Sequence, residues 1–327
     1  MKKENYGFLI IFSLLLLILI TFGSIFCGQQ KIPFTNIMKV LFGGEKEGIN
    51  SLIIFKIRIP RILASILVGV ALSISGAVLQ GIFDNPLASP YLLGISNGAG
   101  FAASVAFIYG FNGYLLQIFS FTGGIFAAFL AMLFAYFFKN KGNISIIIGG
   151  ILVGNFFAAF TMYIKLIADP LAKLPSIVYW LMGSFVNVTQ KALIFPSILI
   201  FISVLLLLVL SWKLTILSFG DMNARTLGEN PVILKIAALI LTTLATSSAI
   251  SISGIIGWIG VVIPQLARVK VGADFRKLLP ITLIWGAAFC CAMDTIARSV
   301  PGYELPVGII SSIIGIPFAA IILAKNR

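Results

Sequence analysis

Long apolar blocks alternate with short polar stretches along the whole of this chain. A helix needs roughly 20 apolar residues to cross the hydrocarbon core of a bilayer, and ten blocks approach that length. We therefore predict an all-α membrane protein of about ten transmembrane helices. The predicted ranges are 6–26, 61–80, 92–109, 115–138, 144–165, 191–211, 233–251, 255–270, 280–297 and 305–324.

The composition supports lipid as the main solvent of this protein. Apolar residues make up 60% of the 327 residues and charged residues 10%, whereas a globular chain carries about 25% charged residues. No stretch is both long enough and polar enough to form a soluble domain. We therefore expect a single transmembrane domain over 1–327.

The first block resembles a secretory signal only in its charged start. Its apolar run, from Tyr6 to Phe26, is longer than the 7–15 residues typical of a signal core. Ser24-Ile-Phe before Cys27 is also a poor lipoprotein cleavage site. We predict that this helix is retained.

The net charge of +13 fits basic residues that flank membrane helices and contact lipid head groups better than it fits nucleic-acid binding. With the N-terminus inside, 13 Lys and Arg residues fall in inner segments and 10 in outer ones. The bias predicts that both termini are cytoplasmic. Arg58, Arg61 and Arg298 then lie on the outer side, where basic residues need a specific reason.

Catalytic and metal-binding chemistry is poorly represented. The chain has no histidine, and its cysteines (Cys27, Cys290 and Cys291) show no metal or disulfide spacing. Asp169 and Asp294 are the only candidates for a catalytic carboxylate pair, and the loop around Asp169 makes convergence improbable. We therefore predict no enzyme activity, no metal site and no cofactor.

Small residues recur at four-residue spacing in several helices, including Gly150 with Gly154 and Gly308 with Ser312. Such faces let helix backbones approach closely in lipid. The spacing alone leaves two interpretations open, namely ordinary tight packing and the lining of a passage.

Two inner loops are more than plain turns. In the first, 84–90, two prolines prevent a continuous helix, and Asn85 can satisfy the free backbone groups. In the second, about 214–235, Asp221 can cap a short helix through Leu227 that Gly228 ends. Leu217, Ala224 and Leu227 would then form an apolar edge suited to a partner protein; the alternative is a solvated linker.

Asp294 and Arg298 stand four positions apart near the outer end of the ninth predicted helix, with Glu304 just beyond it. The spacing places them on one helix face. Ionisable residues at membrane depth mark a functional site or an internal pair, and both interpretations remain open here.

An ordered set of motifs resembles the FecCD family, the permease subunits of bacterial ABC importers for iron–siderophores, haem and vitamin B12. The set includes RIPR at 58–61, NPLA at 85–88, ARTLG at 224–228 and ELPVG at 304–308. Further matching stretches lie at 76–80, 93–99, 180–185, 257–264 and 315–318. Together they span about four fifths of the chain.

The resemblance implies a type II ABC importer permease fold in the bacterial cytoplasmic membrane. Its expected partners are a second permease subunit in a homodimer, two ATP-binding subunits and an extracytoplasmic substrate-binding protein. The passage would lie between the two permeases.

The resemblance also implies roles for individual residues. The outer arginines Arg58, Arg61 and Arg298 would dock the binding protein. The remaining roles are coupling to the ATPase by Asp221, Ala224, Leu227 and Gly228; an inner gate at Asn85, Pro86 and Leu87; and a route lined by Gly150, Gly154, Gly308 and Ser312. Gln265 and Phe275 stand where the family commonly has histidine, and Asp84 where it often has a basic residue.

The predicted function is therefore the passive conduit of an ATP-driven importer, with ferric siderophore as the expected cargo. Haem or cobalamin are the alternatives in the same family, and an oxyanion also remains open. No Gly-Lys dipeptide occurs, so the chain has no phosphate-binding Walker loop and ATP must be hydrolysed by a separate subunit. The rival from another class is an ion-coupled secondary transporter, which would need carboxylates near the bilayer midplane.

Overall fold

The computed structural model describes residues 3–43, 48–138, 142–300 and 302–325. Five residues of the charge count lie outside the described residues: Lys2, Lys46, Lys139, Lys141 and Arg327. Within those ranges the regular structure is helical and contains no strand. The helices are α1 (Lys3–Phe26), α2 (Phe34–Leu41), α3 (Ile49–Leu52), α4 (Ile59–Phe83), α5 (Ile95–Ile108), α6 (Gly113–Phe137), α7 (Asn143–Ile167), α8 (Lys173–Leu181), α9 (Gln190–Val209), α10 (Ser211–Leu217), α11 (Asp221–Thr226), α12 (Pro231–Ser253), α13 (Ile259–Val271), α14 (Phe275–Ala297) and α15 (Val307–Lys325), with a π-helical segment at Ile53–Arg58 and a 3-10 turn at Pro90–Leu93.

Each of the ten predicted ranges coincides with one of these helices, so the all-helical class is confirmed. Among the described residues, seven helical segments are long and apolar enough to span a membrane. The ten-span count is not confirmed, because three of the predicted ranges fall on shorter helices. The apolar part of α15, Val307–Ile321, is one of them. The others are α5, with 14 residues, and α13, with 13. Both follow irregular segments, and each could cross a bilayer only with the help of such a segment.

The helix ends fall into two groups. One group, which we call the arginine end, holds Arg58, Arg61 and Arg298. The other, the loop end, holds the 84–94 and 214–235 segments. Side chains join elements within each group: Gln190 donates to the Phe55 carbonyl at the arginine end (3.0 Å), and Asn143 donates to the Ile82 carbonyl at the loop end (2.8 Å).

Helix α4 forms the centre of the bundle and is buried over most of its length. Glycine makes this possible, because a Cβ built on Gly76 would lie 1.9 Å from the Gly260 carbonyl oxygen. A Cβ on Gly69 would likewise lie 2.2 Å from the Gly286 carbonyl oxygen. Small residues therefore set the backbone separation of α4 from α13 and α14, as in other membrane bundles.

Helix α1 lies at the periphery and is held to α14 by polar contacts. Trp285 donates to Ser13 (2.8 Å), and Thr295 donates to Ser24 (2.8 Å). Most of its other side chains, such as Phe8 and Leu19, are exposed. Exposed apolar helix faces also occur on α6, α7 and α9. Lipid or another membrane subunit must cover such surfaces.

Candidate functional site

A buried ionic cluster joins three elements at the arginine end. Arg61, in the first turn of α4, donates from Nε to Asp294 Oδ1 on the last turns of α14 at 2.7 Å. Its Nη1 donates to Glu304 Oε2 at 2.8 Å. Arg61 therefore ties α4 both to α14 and to the segment that leads into α15.

Arg298 belongs to the same cluster. Its Nη2 donates to the Ser24 carbonyl at 2.5 Å and also to the Ser24 hydroxyl, which ties α1 to α14. Its Nε lies 3.6 Å from Asp294 Oδ2, within ion-pair range but beyond a hydrogen bond. The prediction that Asp294 and Arg298 share a helix face is confirmed, although the closer partner of Asp294 is Arg61.

Arg58 serves a different, local purpose. Its Nη1 donates to the Ile25 carbonyl and its Nη2 to the Gln30 carbonyl, both at 2.5 Å. These two acceptors end α1 and begin the following loop. Gly28 packs against the same guanidinium: a Cβ built on Gly28 would lie 3.2 Å from Arg58 Nη2. Arg58 thus closes the α1–α2 connection by satisfying carbonyls that no helix uses.

The three arginines that the resemblance assigned to docking are only 3% (Arg58), 3% (Arg61) and 4% (Arg298) exposed. Each donates to acceptors within its own chain, so none offers a free guanidinium to a partner in this structure. The docking role stays a prediction, and the structure shows a second role that sequence reasoning missed, which is to hold the arginine end together. Burial of a charge is costly unless it is paired or hydrogen-bonded. Asp294 lies close to Arg61 and Arg298, and two backbone carbonyls serve Arg58.

At the loop end, the 84–90 turn is built as its residues suggest. Asp84 ends α4 with a left-handed φ of 46°. The Asn85 amide donates to the Gln80 carbonyl (3.1 Å), and its side chain accepts from the Leu87 amide (2.9 Å). Pro86 and Leu87 are exposed. The predicted gate residues therefore form a compact turn on the surface of the loop end.

Gln265 binds this turn to the core. Its Nε2 donates to Gln80 Oε1 (2.9 Å) and to the Pro86 carbonyl (3.1 Å). Gln265 stands where the resembled family commonly has histidine. Its amide therefore makes uncharged hydrogen bonds that join α4 to α13. The signal in the sequence was Gln80, a polar residue inside an otherwise apolar helix, but its partner could not be inferred from the sequence.

The glycines predicted to line a route divide into two pairs. A Cβ on Gly150 would lie 1.9 Å from the Leu92 carbonyl oxygen, and Asn97 donates to the Gly154 carbonyl at 2.9 Å. This face is filled by the chain's own 90–97 segment, so the contacts here support tight packing, one of the two interpretations. A route-lining role for this pair stays a prediction and requires that segment to withdraw.

The second pair lies on α15. Gly308 packs against Met182: a Cβ built on Gly308 would lie 2.1 Å from the Met182 carbonyl oxygen. The Ser312 hydroxyl donates to the Gly308 carbonyl (2.8 Å). Both residues are partly exposed, unlike Gly150 and Gly154. The exposed side of α15 continues through Ile309, Ile313 and Ile316. This pair is therefore the one that could face a passage formed with another subunit.

The predicted coupling segment is an elbow made of α10 and α11. Gly228 ends it in the left-handed region (φ +81°), as predicted. Asp221 is not a cap: it is the first residue of α11 and pairs instead with Lys235 at 2.6 Å. A second ion pair, Lys213 to Glu229 at 2.9 Å, braces the other side.

The apolar edge of the elbow differs from the predicted one. Leu217 and Ala224 are buried in the core and act as its anchor. The exposed apolar side chains are Leu227 (63%), Met222 (76%) and Phe219 (66%). Of these three, only Leu227 belonged to the predicted edge. The helical turn of 3.6 residues places Ala224 on the inner face of α11 and Met222 on the outer face.

Asp274 attaches this elbow to α14. It caps α14 by accepting from the Arg276 amide (3.1 Å), and it also accepts from Thr215 of α10 (3.3 Å). Thr215 accepts in turn from the Phe275 amide (3.0 Å). Hydrogen bonds from the Arg276 side chain, the largest influence, hold the pKa of the Asp274 carboxyl below its ordinary value despite partial burial.

An all-helical bundle of membrane-spanning length, with an ionic cluster at one end and an exposed apolar elbow at the other, defines a multi-pass membrane protein of the transport-permease class. The chain belongs to the FecCD transport family, which matches residues 15–325.

Full-length relatives agree with this assignment. The molybdate import system permease protein MolB of Haemophilus influenzae is 33% identical, with 100% of this chain and 98% of the relative covered. A probable iron chelatin transport system permease protein of Helicobacter pylori is 35% identical, with 99% of each covered. Other relatives are named as hemin and vitamin B12 permeases.

A solved structure described as an inward-facing conformation of a metal-chelate type ABC transporter aligns with a TM-score of 0.88 at 33% identity. The alignment covers 97% of this chain and 98% of that one. The chain is therefore a permease of the ABC importer type, and its relatives are transport subunits rather than catalytic enzymes.

Proposed function

We propose that this chain is the membrane-spanning subunit of an ATP-driven importer for ferric siderophores in the bacterial cytoplasmic membrane. It would cross the membrane ten times in the type II importer fold and work as a homodimer with two ATP-binding subunits. The observation that carries the proposal is the elbow, which exposes Phe219, Met222 and Leu227 at one end of a family member's bundle.

The elbow has the properties of a docking element for a motor subunit. Its exposed apolar side chains stand on a short helix whose inner face is anchored through Ala224, and two ion pairs fix its sides. An exposed apolar patch with a polar rim is typical of a protein interface. A rigid patch can also transmit a push into the bundle, here through α10 and Asp274 to α14.

The charge distribution supports a cytosolic loop end. Lys213, Arg225 and Lys235 surround the elbow, and Arg268, Lys270, Arg276 and Lys277 lie at the adjoining ends of α13 and α14. Short loops rich in Lys and Arg favour the cytosol. Both termini would then be cytosolic, and the arginine end would face outward.

Docking of a substrate-binding protein at the arginine end requires an exchange of carboxylates. Arg61 has two acidic partners, Asp294 and Glu304. The Glu304 side chain is 29% accessible and the Asp294 side chain 1%, so Glu304 is the more exposed partner. A carboxylate on an approaching protein can displace Glu304 without breaking the buried Arg61–Asp294 pair. Release of Glu304 frees the segment before α15, the helix we place beside the passage.

The passage itself would run between two copies of the chain. Gly308 and Ser312 would face it from α15, Gly150 and Gly154 would border it when the 90–97 segment moves, and the Asn85–Pro86–Leu87 turn would close it at the cytosolic end. The exposed position of that turn, at the same end of the bundle as the elbow, supports a gate that the motor subunit controls.

The proposed cargo rests on the names of similar proteins. The 35%-identical relative is named for iron chelatin and the aligned structure for metal chelates. A second candidate is an oxyanion, favoured by the 33%-identical relative that is named for molybdate. Haem and cobalamin follow from relatives that are 33% and 32% identical.

Reconstitution tests the proposal. The chain would be placed in proteoliposomes with the ATP-binding subunit and binding protein that co-purify with it, with radioactive ferric siderophore outside and ATP inside. We expect accumulation that disappears without ATP or without the binding protein. Accumulation by the chain alone, driven by an ion gradient, would instead establish a secondary transporter. ATP-dependent accumulation of radioactive molybdate, without accumulation of ferric siderophore, would select the oxyanion.

A further inference from the structure

A cavity of about 630 Å³ lies within the single chain at the arginine end, apart from the ionic cluster. It lies where α5 ends, α6 and α9 begin, and α12 ends, with α8 along one side. Because α6, α9 and α12 are of membrane-spanning length, we place the cavity at the boundary between lipid and water. The segments that border it at Trp180, Ser184 and Ser253 separate it from Gly308 of α15, which packs on their other side.

The lining is aromatic and polar but carries no charged side chain. Phe107, Tyr114, Tyr179 and Trp180 supply the aromatic walls. In a chain with 23 basic residues, an uncharged lining argues against phosphate, carboxylate or metal-chelate anions. Such ligands are held by Arg or Lys in most protein sites.

Several polar groups around the cavity are unused. Among the described residues, the side-chain amides of Asn112, Gln117 and Asn187 and the indole N–H of Trp180 make no hydrogen bond to protein, although all four residues border the cavity. Gln117 is half-buried. Asn112 and Asn187 are exposed, so water can serve their amides in the free protein. Unspent donors and acceptors beside aromatic walls are the usual composition of a small-molecule site.

The polar character continues below the cavity. Ser120 lies one helical turn deeper than Gln117 on α6, and Ser247 lies one turn deeper than the lining residue Ser251 on α12. Both hydroxyls are fully buried, and neither finds a partner among the described residues. A Cβ built on Gly124 would lie 2.7 Å from the Ser247 hydroxyl oxygen, so the two helices touch there.

We propose that this cavity binds an uncharged sugar ring, presented by a glycolipid head group or by a free glycoside. The aromatic walls would pack against the C–H faces of the ring. Gln117, Asn112 and Asn187 would exchange hydrogen bonds with its hydroxyl groups, each amide offering both a donor and an acceptor. This site is independent of the importer function proposed above.

The test uses the full-length chain purified in a detergent without a sugar head group and transferred to phosphatidylcholine nanodiscs. The nanodiscs would contain equal amounts of monoglucosyl diacylglycerol and phosphatidylglycerol, and native mass spectrometry would count the lipids retained. Calorimetric titration with methyl β-glucoside would measure binding of the free sugar. The variant is Gln117→Leu, and its matched control is Gln29→Leu, an exposed glutamine at the same end outside the cavity.

We expect selective retention of the glucosyl lipid, weakened about tenfold by Gln117→Leu, the effect of losing one or two hydrogen bonds, and unchanged by Gln29→Leu. Binding of methyl β-glucoside with the same dependence on Gln117 would identify free sugar as sufficient; its absence would assign the site to the lipid. Preference for phosphatidylglycerol, absence of any sugar binding, or equal effects of the two variants would overturn the proposal. If Gln117→Leu fails to fold, Asn187→Ala in an exposed segment provides the same comparison.

Discussion

Arg61 donates a hydrogen bond of 2.7 Å to Asp294, although the two residues are 233 positions apart in the chain. Both side chains are almost completely buried. The pair therefore joins the start of α4 to the end of α14. In these buried surroundings, either charge without its partner would destabilise the protein.

Replacing Asp294 with leucine should destabilise the protein by about 3–5 kcal/mol, because it leaves the Arg61 charge buried without its closest partner. The double variant Arg61→Met/Asp294→Leu should recover part of this loss, because it removes the unpaired Arg61 charge, although Arg298 and Glu304 each still lose a partner. Thermal unfolding in detergent would measure these two variants and the Arg61→Met single variant. Destabilisation by the double variant equal to the sum of the two single variants would show that the pair is not energetically coupled.

Replacing Glu304 with glutamine should strengthen docking of the binding protein, because Arg61 no longer has to exchange one carboxylate for another. The gain should be at most about fivefold, since a partly exposed ion pair is worth roughly 1 kcal/mol or less. Surface plasmon resonance on the reconstituted permease would measure it. Weaker docking by this variant would indicate that Glu304 itself contacts the partner.

Placing a charge on the elbow should separate the permease from its ATP-binding subunit. Met222→Asp combined with Leu227→Asp removes the two apolar contacts offered by α11 and its end, and should abolish co-purification and transport. Leu171→Asp is the matched control, because Leu171 is a highly exposed leucine near the opposite end of the bundle. Normal co-purification of the double variant would exclude this surface as the coupling site.

Replacing Gly76 with alanine should cost about 1–3 kcal/mol, the usual effect of overpacking, because the new Cβ would collide with the Gly260 carbonyl. Gly23→Ala on α1 is the control, with no atom within 4 Å of its new Cβ, and should be neutral or slightly stabilising. Folded yield and melting temperature report the difference. Similar values for both variants would mean that α4 and α13 can separate freely.

Asp274 should contribute to loss of stability in acid. Its pKa is lower in the folded state than its ordinary value, so its stabilisation is present above the unfolded pKa of about 3.9 and is lost as pH falls through the lowered pKa. Asp274→Asn should therefore flatten the decline of melting temperature below about pH 4. An unchanged acid profile in this variant would exclude the capping contact as its source.

The positions of the ten predicted apolar helices were predictable because lipid imposes a simple rule on length and polarity. The short helices α2, α3, α8 and α10 were not predicted, because that rule does not apply to helices too short to span. Gly228 as the end of the elbow and Asn85 as the support of the 84–90 turn were predictable for a similar reason, since both act on backbone groups a few residues away. The orientation of the elbow was not, because which side of so short a helix faces inward depends on what it packs against. Thus Met222 was missed and Ala224 was placed on the wrong face.

The sequence by itself determined an all-helical membrane protein, its ten apolar segments and its resemblance to importer permeases, since these depend on local hydrophobicity and on short motifs. Only the tertiary structure decided which charges neutralise one another, that Gln265 ties Gln80 to the gate turn, and that an uncharged cavity opens beside α8. These contacts join residues far apart in the chain, and the packing of helices in three dimensions is what brings them within hydrogen-bond distance.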